Sequence, residues 1–202
     1  MRGAVLFVAT DESRTNTRTP PLRLASTASM PRLALVEPKD ATGDAARILA
    51  SAPINIYKGI AADPEVFTTF IAFMRSIGTS GAITKAEKEL VMLLAAEDRH
   101  CAYCVAAHTR VAAGAGIDAG RALDARRAKA SAPKEQALLD FTKAVMAKNG
   151  CVSDAELAAF RAAGFDDRAA IEVVAAITAM TFTALYNHVN ETVVDFPAVP
   201  AV

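Results

Sequence analysis

Four residues within one short stretch have the types and spacing for thiol chemistry: Glu89, Cys101, Cys104 and His108. Cys101 and Cys104 are three residues apart, so on a helix they sit on one face. Their Cα atoms then fall within the separation a disulfide requires. A CxxC pair at a helix start also gains an acidified thiol, because the positive end of the helix stabilises a thiolate. Such a pair can cycle between dithiol and disulfide. His108 follows Cys104 by four residues, one turn along the same face. A neutral imidazole there can take the thiol proton, and the imidazolium can pair with the thiolate. Cys101 is seven residues from His108, about 10 Å along the axis at roughly 1.5 Å per residue. This spacing favours Cys104 as the activated nucleophile and Cys101 as its resolving partner. On an unbroken helix Glu89 would lie about 18 Å from Cys101. It can orient His108, or relay its proton, only if the chain folds back at the polar run Glu97-Asp98-Arg99-His100.

Plainer readings compete with each of these. A Glu near a helix start is commonly a first-turn acid, and a single helical His is commonly structural. His100, Cys101, Cys104 and His108 would make four zinc ligands. Adjacent His100 and Cys101, however, point in different directions on a helix, and there is no second knuckle. A c-type haem needs His directly after the second Cys, where Val105 stands. The expectation is therefore no metal and no cofactor. Cys151, beside Gly150, has no such neighbours and reads as incidental.

The elements that must position these residues read as helix after helix from residue 40 onward. Ala and Leu are abundant, strand-like alternation is scarce, and breaks fall at Gly and Pro. Asp63-Pro64-Glu65 is a helix start with a capping Asp and Pro at the first position. Phe67, Phe70, Ile71 and Met74 then form an apolar stripe, and Gly78 and Gly81 end the helix. Thr84-Lys85-Ala86-Glu87 is a capping-box pattern. It opens a helix whose segment Leu90 to Ala96 has no polar side chain, the mark of a buried helix. A further helix spans about 101–114, and others about 119–129, 134–148, 154–163 and 167–192. The fold class is all-α, a compact helical bundle. An internal repeat is also suggested. Lys88-Glu89-Leu90-Val91 can be laid on Ile171-Glu172-Val173-Val174, which sets Cys101-Ala-Tyr103-Cys104 opposite Ala184-Leu-Tyr186-Asn187 and His108 opposite Glu191. This is either chance likeness between Ala-rich helices or a duplicated helical hairpin that kept its thiols in one copy.

The 202 residues suit one domain with a tail. Apolar residues make up 52% of the chain, enough for a sizeable core. The net charge is zero, which offers nothing to nucleic acid. Uninterrupted apolar runs fall far short of the roughly 20 residues that span a bilayer, so no membrane association is expected. Three cysteines with no clear signal peptide argue for a reducing, cytoplasmic setting rather than a secreted disulfide framework. Residues 1–29 differ from the rest. A short apolar run is followed by Thr, Ser, Arg and Pro, and Met30-Pro31-Arg32-Leu33 looks like a natural start. The expected organisation is a tail or overextended gene start over 1–29 and a helical domain over 30–202.

The pattern Glu89-x11-Cys101-Ala-Tyr103-Cys104-x3-His108 resembles the active-site signature of the AhpD-like (alkylhydroperoxidase D-like) branch of the carboxymuconolactone decarboxylase superfamily. The likeness covers roughly residues 30–202. The opening Pro31-Arg32-Leu33 through Glu37-Pro38 with Ala41-Thr42-Gly43 resembles the peroxidase-related subgroup. So does the closing Tyr186-Asn187-His188 with Asp195-Phe196-Pro197. The resemblance implies an all-helical fold, homo-oligomers such as trimers or hexamers, and hydroperoxide reduction without haem or metal. Cys104 would be the peroxidatic thiol, Cys101 the resolving thiol, and His108 with Glu89 the proton relay. The reductant would be an external dithiol, lipoyl-bearing or thioredoxin-like. Well-studied members carry a His between the cysteines where this chain has Tyr103, which can hydrogen-bond but is a poor base near neutral pH. That departure implies a shorter relay and weaker peroxidase activity. Two other functions fit parts of the pattern: a non-catalytic redox switch, and a lactone decarboxylase like the superfamily's namesake, which has no need of CxxC.

Overall fold

The computed structural model describes residues 30–202, so the expectations for residues 1–29 lie outside the described residues. Among the described residues there are nine helices and no strand. The first two are short, α1 (Gly43–Ser51) and α2 (Asn55–Ile60). Next comes α3 (Pro64–Thr79), begun as its sequence dictates: the Asp63 side chain accepts from Val66 N at 3.0 Å, and Pro64 occupies the first turn.

The centre of the bundle is α4 (Lys85–Asp98). Thr84 and Glu87 close a reciprocal capping box at its start. Every residue from Glu87 to Ala96 is buried, because the helix is surrounded by α5 (Ala102–Gly114), α6 (Ala119–Arg126), α7 (Pro133–Ala147) and α9 (Asp167–Asn190). Between the last two, α8 (Asp154–Ala162) packs on α7. Phe160 stacks between Phe141 and Phe165 there, with ring centroids 4.1 and 4.6 Å away.

The 24-residue α9 starts at the Asp166 cap and ends at Glu191, which takes a left-handed conformation. By length and composition it is apolar enough to cross a bilayer, which counting uninterrupted runs alone does not register. Half of its most apolar window is buried against the other helices, the arrangement of a core helix.

Two expectations need correction. The chain does not break over the whole of Glu97 to His100, since α4 continues to Asp98 and only Arg99 and His100 lie between it and Cys101. Nor is the second copy of the supposed repeat a hairpin. Glu172 and Ala184 to Asn187 lie on one unbroken α9. Nothing between them takes the left-handed turn that His100 takes in the first copy. The two short helices α1 and α2 were not resolved individually in the sequence pattern.

Candidate functional site

The site exists because the chain reverses direction in two residues. His100 adopts φ 52°, the left-handed region. His100 N donates to Glu97 O at 2.8 Å and Cys101 N to Ala96 O at 3.1 Å. This is the paired bonding of a Schellman helix end, with His where Gly is usual. Cys101 then serves at once as the residue that closes α4 and the cap that opens α5. Its Sγ accepts from Cys104 N at 3.1 Å. The thiol thus stands at the positive end of α5, where a thiolate is stabilised.

Cys101 and Cys104 are joined as a disulfide, with Cα atoms 5.2 Å apart. Both are buried, 1% and 3% exposed. One turn further on, His108 Nδ1 lies 2.8 Å from Glu89 Oε2. The reversal at His100 therefore does what an unbroken helix cannot, bringing the α4 carboxylate onto the α5 imidazole. Engaging Nδ1 orients the ring and leaves Nε2 as the nitrogen able to exchange a proton. All four expected residues, Glu89, Cys101, Cys104 and His108, are thus gathered at the α4–α5 corner.

Tyr103, between the cysteines, is turned away from proton transfer. Its hydroxyl donates to Asp195 Oδ1 at 2.7 Å and accepts from Ile56 N at 3.2 Å. Asp195 Oδ2 in turn accepts from Asn55 N at 2.7 Å. Burial, then the neighbouring Asp195 carboxylate, push the phenol's pKa well above its ordinary value. The Phe196 ring meets Tyr103 edge-on at 5.4 Å. Tyr103 is a strut that ties α5 to the start of α2 and to the C-terminal segment.

Two residues of α9 complete the surroundings: Asn187, which the closing Tyr186-Asn187-His188 motif contains without giving it a role, and Thr183, which no motif contains. Asn187 Nδ2 lies 3.6 Å from Cys101 Sγ and 3.5 Å from Cys104 Sγ. Asn187 is 6% exposed, and its Oδ1 is buried without a hydrogen-bond partner. Thr183 Oγ1 lies 3.6 Å from Cys104 Sγ, while its own hydroxyl is within reach of Ala179 O and Met180 O. Besides that motif, the repeat alignment points to Asn187 by setting it opposite Cys104. The backbone of His100, the fourth member of the zinc reading, forms the turn. Among the described residues no group of three or more His, Cys, Asp or Glu is arranged to hold a metal ion. Cys151 is free and exposed.

Comparison with known proteins narrows the assignment. The family model for the carboxymuconolactone decarboxylase family matches residues 64–145, from the start of α3 to near the end of α7, and so contains the whole α4–α5 corner. A peroxidase-related protein of Ralstonia eutropha JMP134, described as an alkylhydroperoxidase AhpD core, superposes with a TM-score of 0.75. The match is 22% identical and covers 83% of this chain and 93% of that one. Residues 64–145 thus match the carboxymuconolactone decarboxylase family, and the described residues have an AhpD-like fold. Other solved structures share the AhpD-like fold at lower identity. A peroxidase-related protein from Silicibacter sp. TM1040 has a TM-score of 0.66 and 17% identity, over 73% of this chain and 80% of that one. A cysteine-to-alanine variant of the debrominase Bmp8, in complex with 2,3,4-tribromopyrrole, has a TM-score of 0.61 and 17% identity, over 70% and 76%. No curated protein sequence matches this chain.

Proposed function

We propose that this AhpD-like protein reduces hydroperoxides through its Cys101–Cys104 pair, with His108 and Glu89 as the proton relay. The observation that carries the reading is the contact between Glu89 and His108, 2.8 Å, one helical turn from a CxxC at the start of α5. In the reduced protein His108 takes the Cys104 proton and Glu89 stabilises the imidazolium. The Cys104 thiolate attacks the outer peroxide oxygen. The S–O bond forms, the O–O bond breaks, and the alkoxide leaves as alcohol with the proton held by His108. Cys104, now a sulfenic acid, is attacked by Cys101; water leaves and the disulfide forms. An external dithiol, lipoyl or thioredoxin-like, reopens it by exchange, becoming a disulfide itself. No cofactor takes part in this cycle. Tyr103 cannot lengthen the relay, which predicts slower turnover than a chain with a second imidazole at that place.

The test is consumption of cumene or tert-butyl hydroperoxide with a dithiol donor, in wild type and in the Cys104→Ser and Cys101→Ser variants. A panel that adds a halogenated pyrrole and a muconolactone separates this reading from dehalogenation and decarboxylation. A disulfide switch without turnover is the second reading, and the burial of both sulfurs favours it, since it limits access by bulky peroxides. Assembly into a homo-oligomer, a trimer or hexamer, belongs to the same proposal. Ile171, Val174, Leu185 and Val189 expose a line of apolar side chains along α9 that a second copy would cover. Light scattering that finds only monomer at micromolar concentration would refute assembly.

A further inference from the structure

The bonding pattern of Asn187 differs from that of a packing residue. Its amide nitrogen reaches both sulfurs of the pair, at 3.6 and 3.5 Å, from a different helix. Its carbonyl oxygen, in a side chain 94% buried (6% exposed), has no hydrogen-bond partner. Two disulfide sulfurs are weak acceptors and offer no hydrogen, so they can occupy only the NH₂ end of an amide. A half-ionised dithiol is different. It has one thiolate, a strong acceptor, and one S–H, a donor. That combination matches the two ends of a carboxamide, and a bond to a charged acceptor is the stronger kind.

From this complementarity we propose that Asn187 stabilises the thiolate–thiol form of the Cys101–Cys104 pair. It thereby acidifies the reactive thiol and biases the pair toward the reduced state. The inference rests on the pair being redox-active, as in the function proposed above, but not on a hydroperoxide being the oxidant. Two electrons and two protons from an external dithiol convert the disulfide to two thiols, and one of these loses its proton at working pH. Other groups bear on the same ionisation. On α5 and α4 these are His108 with Glu89, and Tyr103 on α5 pairs with Asp195 of the C-terminal segment. On α9 they are Thr183, beside Cys104 Sγ, and His188, whose Nε2 meets Arg99 O at 2.9 Å. None of them contacts both sulfurs through a neutral donor.

The test uses the reduced full-length chain and needs no peroxide. Alkylation by iodoacetamide is followed against pH, with each cysteine quantified by mass spectrometry, for wild type, Asn187→Leu and Asn187→Asp. Leu removes both polar ends at similar volume. Asp keeps the shape, removes the donor and adds a charge of the wrong sign. In both variants the alkylation profile is expected to move to higher pH, with about tenfold less thiolate below its midpoint. The Asp variant should move further. The dithiol–disulfide equilibrium against glutathione is expected to move toward the disulfide by a similar factor. Should Asn187→Leu fail to fold, the near-isosteric Asp variant carries the test. Profiles and equilibria within about twofold of wild type in a folded variant would overturn the inference. Shifted profiles in a protein with no peroxide turnover would uphold it and sink the peroxidase reading instead.

Discussion

The α4–α5 corner and α9 begin from the same residue pattern and end in different chemistry. Each has a Glu in an apolar helical stretch, followed fourteen residues later by a Tyr. In the first, the left-handed turn at His100 folds the chain back, and Glu89 meets His108 beside the thiols. In the second, the helix runs on without a break. Glu172 therefore stays about 18 Å along the axis from Ala184 and serves structure. It accepts from Ala82 N and Ile83 N, at 2.9 and 3.1 Å, just before α4 begins. Its carboxylate also lies 3.6 Å from the buried Lys88 ammonium. One turn of backbone decides whether a buried carboxylate meets His108 at the proposed site or anchors the neighbouring helix. The two regions then cooperate, because the end of α9 delivers Asn187 to the sulfurs that α5 presents.

Substitutions at the two carboxylates and at the turn separate the two regions. The largest stability effect is expected at Glu172. Glu172→Gln leaves Lys88 buried without its counter-charge, which should cost about 3 kcal/mol. Chemical denaturation reads this directly, and a loss below about 1 kcal/mol would show that Glu172 is not the anchor described. At Glu89 the expectation is reversed, a change in chemistry more than in stability. Glu89→Gln should slow hydroperoxide turnover about a hundredfold, with the denaturation midpoint moving less than in Glu172→Gln. Equal stability losses with unchanged turnover would erase the distinction between the two carboxylates.

The pH dependence of stability sharpens the same contrast. Burial pushes the Glu172 carboxyl up, but the Ala82 and Ile83 N–H groups and Lys88 outweigh it and hold its pKa below the ordinary 4.5. A carboxyl depressed by folding contributes its full stability above the ordinary value. It loses that stability as pH falls below 4.5 through the lower folded value. Acid unfolding of wild type should thus steepen below pH 4.5, and Glu172→Gln should flatten that limb. The smallest expected effect is at the turn. His100→Val places a β-branched residue at φ 52° and should cost about 1–2 kcal/mol. His100→Gly, free of that strain, should keep its stability close to wild type. Equal melting temperatures for the two variants would mean that the turn does not constrain the corner.

Much of this was readable in the sequence, and the unread parts share one cause. The Asp63-Pro64 start, the Thr84–Glu87 capping box and the apolar run of α4 are local signals, and each produced its helix. Cys101, Cys104 and His108 lie within eight residues, so helical spacing alone set their relation. Glu89 required a reversal, and the polar run marked its place to within two residues, although the conformation that makes it is held by a His rather than a Gly. The contributions of Asn187, Thr183 and Asp195 come from about 80 to 90 residues away in the chain. The closing motifs contain Asn187 and Asp195, but only tertiary packing shows what those residues touch. The same packing consumed Tyr103, whose hydroxyl could not be assigned to a relay or a strut until Asp195 and Ile56 were seen to hold it.

The function proposed for this corner is hydroperoxide turnover through its cysteines. Its most direct measurement is steady-state loss of cumene hydroperoxide in the presence of a dithiol donor, with the wild type compared with Cys104→Ser and Cys101→Ser. Turnover is expected in the wild type, with a loss of at least about a thousandfold in Cys104→Ser, and slower turnover in Cys101→Ser, where the donor itself must reduce the Cys104 sulfenic acid. No turnover above the uncatalysed rate in a correctly folded, reducible wild type, or equal rates in all three proteins, would contradict it.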